Sequence, residues 1–248
     1  MSSTRQSLAL PAAMGSSVRR LSNLLAVSYP LLAHATILLD SSMLLYVSSL
    51  VLMAATLLPS IATGSKRAWL VALAVVATLM WLHRIDAAVV ALYLPPVAIN
   101  AYLAWLFGKT LVAKRTPLIV RLVELLHGPE EKLDGSIVRY ASTLTLIWTV
   151  LFVSLALVNL SLALLARPSG LLISAGFEPA VAVPREIWSL FANVLNYAIV
   201  GSLFMVEYAY RRRRFPQQPY RGLMDFLQRA GAAVPSLIGE YRSRAAPD

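Results

Sequence analysis

A chain of 248 residues with 58% hydrophobic and only 14% charged residues carries well under the charged fraction of an ordinary soluble domain, which is roughly a quarter. That composition excludes a typical water-soluble globule and points to an integral membrane protein, and the lack of cysteine excludes disulfides, thiolate nucleophiles and cysteine metal ligands. The net charge of +10 predicts no nucleic-acid partner, because the basic residues flank apolar runs, which is how membrane orientation is encoded.

In chain order, residues 1–20 hold Arg5, Arg19 and Arg20 without a long apolar stretch, and read as a cytoplasmic segment before a retained first span rather than a cleaved leader. Six runs then approach the roughly 20 apolar residues that a bilayer crossing needs: 21–39, 43–61, 68–82, 87–107, 140–165 and 187–208. The third is short and is expected to borrow His83, Arg84 and Ile85 or to sit in thinned lipid. The fold class expected is therefore all-α, a polytopic bundle of about six transmembrane helices.

With both chain ends inside, 19 of the 22 lysines and arginines fall on the cytoplasmic side, leaving only Arg84, Arg167 and Arg185 outside. Positive charge is retained on the cytoplasmic side, so this asymmetry predicts an N-in, C-in orientation. Arg211, Arg212, Arg213 and Arg214 close the last span as a stop-transfer anchor, and Pro216 and Pro219 forbid a continuing helix. These arginines, with Arg121, are the expected contacts for anionic lipid or an acidic partner.

Between spans four and five, 117–127 begins at Pro117, ends before Gly128 and is mostly apolar, with Arg121 and Glu124 three apart. Too short to cross, it reads either as an interfacial helix in the cytoplasmic leaflet or as one packed on the bundle. The segment 209–248 reads as a basic, amphipathic cytoplasmic tail, with Leu223, Phe226 and Leu227 at helical spacing. The outer loop 166–186 is mildly apolar and rich in Pro and Gly.

Polar residues inside lipid need partners, so their depths predict pairs. Asn159 and Asn193 each lie six residues from the outer end of a span, about 9 Å deep at helical rise, and are expected to meet. Arg139 and Glu207 match near the inner surface and are expected to form an ion pair. Span four carries Tyr93, Pro95, Pro96 and Asn100; the prolines remove two backbone donors and make this the expected place for a cavity, with Asn196 and Tyr197 of span six as further candidates.

No catalytic or metal site emerges. His34, His83 and His127 fall at separate levels, and no G-x-S-x-G, H-E-x-x-H or phosphate-binding glycine loop is present. No cofactor is expected.

The residues LYLPPVAINAYLAWLFGKTL (92–111), TPLIVRLVELLHGPE (116–130), VRYASTLTLIWTVLFVSLALVN (138–159) and IWSLFANVLNYAIVGSLFMVEYAYRRRR (187–214) resemble a family of uncharacterised bacterial inner-membrane proteins. Its members are encoded beside the fatty-acid-synthase-like enzymes that make aryl-polyene and xanthomonadin-type pigments. The resemblance covers about half the chain; the tail after Arg214 is an extension, and Glu130, Glu131 and Asp134 stand where the family often has two spaced carboxylates. It implies a bacterial inner-membrane location and association with acyl-carrier-protein chemistry, and brings no catalytic residue with it. The leading expectation is a non-catalytic membrane subunit that contacts lipids and other cytoplasmic-face subunits, among them an acidic acyl carrier protein. The alternatives are a transporter or flippase of a lipid-like product, and an acyltransferase using His127 beside Glu124 or Glu130.

Overall fold

The computed structural model describes residues 12–85, 88–112, 115–128, 133–215 and 222–232. Six of its helices are long and apolar enough to cross a membrane: Gly15–Leu38, Ser42–Ala62, Lys66–Arg84, Val90–Gly108, Gly135–Leu165 and Arg185–Arg214. In each, at most a third of the most apolar window is buried within the protein. Outward-facing side chains such as Leu24, Val27, Leu31 and Leu73 are two-thirds exposed or more. In water such surfaces would be an aggregation liability; facing hydrocarbon they are what a multi-pass protein presents. The fold is an all-α polytopic bundle.

The helices are α1 (Ala12–Leu38), α2 (Ser42–Ala62), α3 (Lys66–Arg84), α4 (Val90–Gly108), α5 (Leu118–His127) and α6 (Gly135–Leu165). A two-residue strand β1 (Ala166–Arg167), the single turn α7 (Leu171–Ser174) and β2 (Val183–Pro184) follow, the strands pairing in parallel. The last span is composite: α8 (Arg185–Leu190), a π turn at Phe191–Leu195 and α9 (Asn196–Arg214). Residues 223–232 form a further tail helix.

Helix ends differ from the hydropathy edges for local reasons. α1 starts nine residues before the expected 21 and runs through Arg19 and Arg20, whose stems can lie along the helix while their heads reach water; the Arg19 guanidinium donates back to the Gly15 carbonyl at 3.2 Å. α3 is 19 residues long: it takes in His83 and Arg84, as expected, with Ile85 as its C-cap, and it starts at Lys66 because the Ser65 hydroxyl caps it by accepting from the Ala68 amide at 3.3 Å. α6 begins at Gly135, earlier than the expected 140, behind Asp134, which accepts from the Ser136 amide. α9 stays helical through all four arginines, while Pro216 and Pro219 lie outside the described residues. The tail beyond 232, Glu130 and Glu131 also lie outside them.

The chain divides into two compact units, Met1–Val97 with Leu157–Tyr197, and Ala98–Ala156 with Ala198–Asp248. In the first, α1 buries Tyr29, Ala33 and Ile37 at four-residue spacing, one stripe of a helix. Tyr93 and Trp188, both fully buried, meet edge to face with ring centres 4.3 Å apart. Arg185 closes the end of this unit through a 2.7 Å ion pair to Asp40.

In the second unit, α4 and α6 approach closely at Gly108, where an added Cβ would stand 3.2 Å from the Thr149 methyl. Phe107, Trp148 and Phe152 form an aromatic cluster with centre separations of 5.5–6.4 Å. α5 packs on this unit by a specific device. Its N-cap, Pro117, offers no side-chain acceptor, so the first amides of the helix need partners from elsewhere. Buried threonines supply them: Thr110 Oγ1 accepts from the Leu118 amide at 3.0 Å and Thr145 Oγ1 from the Ile119 amide at 3.3 Å.

Candidate functional site

α5 presents Ile119, Leu122, Val123 and Leu126 at the spacing of one helical face. Opposite them stand Leu103 and Phe107 of α4, Leu144 and Trp148 of α6, and Phe204 of α9. Together they enclose a cavity of about 330 Å³, all within the second unit, in the size range of small-molecule sites. Its lining is overwhelmingly apolar; the polar side chains along it are His127, Tyr140, Glu207 and Arg211, and the tail helix adds Phe226.

The expected cavity residues are elsewhere. None of Tyr93, Pro95, Pro96, Asn100, Asn196 and Tyr197 lines this cavity. Tyr93 is sealed against Trp188, Asn100 is buried, and Tyr197 is about half exposed. α4 continues as one helix through both prolines: they fall in its second turn, where only two backbone bonds are lost, and the room opens instead beside the α4 C-terminal half.

Glu207 is almost fully buried, and Arg211, one turn on, grips it with two nitrogens, Nε to Oε1 at 2.8 Å and Nη2 to Oε2 at 3.3 Å. The Tyr140 hydroxyl donates to Oε1 at 3.1 Å. The expected Arg139–Glu207 pair is thereby replaced. Arg139 is exposed, and its neighbour Tyr140 is the residue of α6 that faces α9, because adjacent helical residues point about 100° apart. Arg211 is likewise withdrawn from the expected surface cluster; its guanidinium lies 4.3 Å from the Phe226 ring centre. Arg212, Arg213 and Arg214 remain exposed. Arg121 pairs with Glu124 at 2.7 Å.

His127 closes α5 with Nδ1 2.9 Å from the Val123 carbonyl. A carbonyl only accepts, so Nδ1 carries the proton and Nε2 of the neutral ring is an acceptor. Among the described residues Nε2 meets no hydrogen-bond partner.

The polar residues of the first unit serve helix contacts. Asn159 Nδ2 donates to Asn196 Oδ1 at 3.1 Å, so the partner shown for Asn159 is Asn196 rather than the expected Asn193. Asn193 donates to Ser189, to its carbonyl at 3.1 Å and its hydroxyl at 3.2 Å, and that hydroxyl lies 2.9 Å from His34 Nδ1. The π turn explains the exchange. A regular helix would hold residues 193 and 196 about 60° apart around the axis; the widened turn at Phe191–Leu195 opens that angle, turning Asn193 toward α1 and Asn196 toward α6. No protein-family model, curated protein or solved structure matches the chain.

Proposed function

We propose that this protein is a non-catalytic integral subunit of a bacterial inner membrane, with both termini cytoplasmic, that seats the hydrocarbon chain of a lipid-like molecule for an acyl-carrier-dependent lipid or polyene synthase. The observation that carries the proposal is the cavity of about 330 Å³ walled by α5 and the Phe107, Trp148 and Phe152 aromatics: a slot this apolar gains from burying an alkyl or polyene chain, at about 0.8 kcal/mol per methylene. The exposed Arg212, Arg213 and Arg214 supply a positive surface suited to encounter with an acidic carrier.

A catalytic role for His127 is less favoured by its surroundings. Its Nδ1 is held by a backbone carbonyl, and Glu124 is engaged by Arg121, so neither provides the carboxylate-oriented imidazole on which general-base catalysis commonly relies.

The test is photolabelling in native-lipid nanodiscs with an alkyl chain bearing a terminal diazirine. Label is expected on α5 and on Trp148 and Phe152, and Leu144→Trp, which fills the slot, is expected to remove it. Uniform labelling of outward-facing residues such as Leu24 and Leu73, unchanged by Leu144→Trp, would refute the cavity as a binding site. Separately, Arg212, Arg213 and Arg214 changed together to Gln should release acidic partners from native membranes while leaving insertion intact.

A further inference from the structure

Among the described residues, the charges along the cavity are neutralised from within. Glu207 and Arg211 close on each other as an ion pair with one hydrogen bond, from Nη2 to Oε2, the Tyr140 hydroxyl donates to the same carboxylate, and the aromatic face of Phe226 covers the guanidinium. A phosphate headgroup would bring one or two negative charges to a lining with no net cation to meet them, and burying an unpaired charge is heavily penalised. A wholly apolar ligand would leave His127 Nε2, a partly buried acceptor on the lining, without a hydrogen bond.

We infer that the molecule seated in the cavity ends in a carboxyl group, and that His127 Nε2 shares a single proton with it. This rests on the cavity being a ligand site, as proposed above. With Nδ1 committed to Val123, the ring offers one atom and the carboxyl another, and one proton between them satisfies both. Either the acid donates to the neutral ring, or the carboxylate accepts from the imidazolium. A carboxylate arriving ionised takes that proton from water, so the occupied site carries no more net charge than the empty one. An ester or thioester of the same chain has no proton to share and presents only acceptors to an acceptor. The chemical class is thus a long-chain carboxylic acid, saturated or conjugated, in its released rather than its carrier-bound form.

The experiment is competition against the diazirine-alkyl probe in nanodiscs, using hexadecanoic acid, its methyl ester and hexadecyltrimethylammonium, on the wild-type chain and on His127→Phe and His127→Leu. Wild type is expected to prefer the acid over the ester by about tenfold or more, the scale of one hydrogen bond to a charged group, and to reject the cation. Both variants are expected to bind acid and ester alike, at the wild-type ester level, which also shows that they are folded. Acid and ester within about twofold of each other on wild type, or an acid preference that survives in both variants, overturns the inference while leaving the cavity reading intact. Failure of every alkyl competitor to displace the probe from wild type overturns both.

Discussion

The side chain most exposed to a decisive test is Arg211. The Glu207 and Arg211 side chains are only 7% and 12% accessible, with a closest approach of 2.8 Å. At an effective dielectric of about 20 their gross attraction is about 6 kcal/mol, much of it offset by the cost of taking both ions out of water. Replacing Arg211 with Met retains the stem's packing and removes the charge, leaving a buried carboxylate with the Tyr140 hydroxyl, 3.1 Å away. Breaking such a pair on one side costs about 3–5 kcal/mol, so Arg211→Met should lose about 3 kcal/mol. Tyr140→Phe, which takes away one hydrogen bond to the charged group, should lose about 1.5–3 kcal/mol. Combining Arg211→Met with Glu207→Gln removes both charges and should recover to within about 1 kcal/mol of wild type. The assay is reversible unfolding in mixed micelles followed by tryptophan emission, with wild type, Arg211→Met, Glu207→Gln and their combination compared as a double-mutant cycle and Tyr140→Phe measured beside them. An Arg211→Met loss below about 1 kcal/mol, or a double variant no better than that single one, would show that the carboxylate is solvated and the pair unimportant.

The contact between Asn159 and Asn196 should show a coupling of about 0.6–2 kcal/mol in an alanine double-mutant cycle, whereas Asn159 and Asn193 should be nearly additive; strong coupling of the latter pair would reject the register set by the π turn. Gly170→Ala should cost about 1–3 kcal/mol, because the new Cβ would clash with the Ala166 carbonyl oxygen, which already accepts from the Gly170 amide at 2.8 Å; an unchanged melting temperature would refute it. At the start of α6, the Ser136 amide and hydroxyl both donate to Asp134 and hold its carboxyl below the ordinary carboxylate range. Because the folded value is the lower one, this capping is in force above the unfolded carboxyl range and disappears as pH falls through the folded value. Exchange protection of the Ser136 amide should therefore drop on acidification in wild type and be already low and flat with pH in Asp134→Ala; parallel pH profiles would exclude the cap as the cause.

How much of this was legible in the sequence depended on which physical cue each feature left behind. The six spans were readable because hydrocarbon thickness demands a long apolar run, and α5 because Pro117 and Gly128 bracket it. The helix ends were not, since hydropathy marks where lipid stops and not where backbone bonding stops: Arg19, Arg20 and the four arginines at 211–214 all sit inside helices. The π turn left no cue, as Phe191–Leu195 contains neither Gly nor Pro, and with it went the choice between Asn193 and Asn196. Matching depths across helices found Glu207 but misassigned its partner, although Arg211 at four residues' distance on the same helix was the local alternative. The proline pair drew attention to the N-terminal half of α4, away from the cavity at Leu103 and Phe107. The better cue for the cavity was the spacing of Ile119, Leu122, Val123 and Leu126, an apolar face too short to span and in need of something to cover.

That contrast separates two uses of polar groups in one chain. In the first unit, Asn159 with Asn196, and Asn193 with Ser189 and His34, are bonded in combinations that draw on different helices, so their hydrogen bonds fix register. In the second, Thr110 and Thr145 spend their hydroxyls on the first amides of α5, which holds a ten-residue helix that would be marginal by itself. Glu207, Arg211 and Tyr140 then cancel one another along the cavity that α5 walls. Among the described residues, these bonds leave the cavity its apolar lining and the Nε2 of His127. On the reading proposed above, selectivity at this site falls to His127 Nε2 and not to the buried ion pair beside it, so substitutions at Glu207 should move stability while substitutions at His127 should move ligand choice.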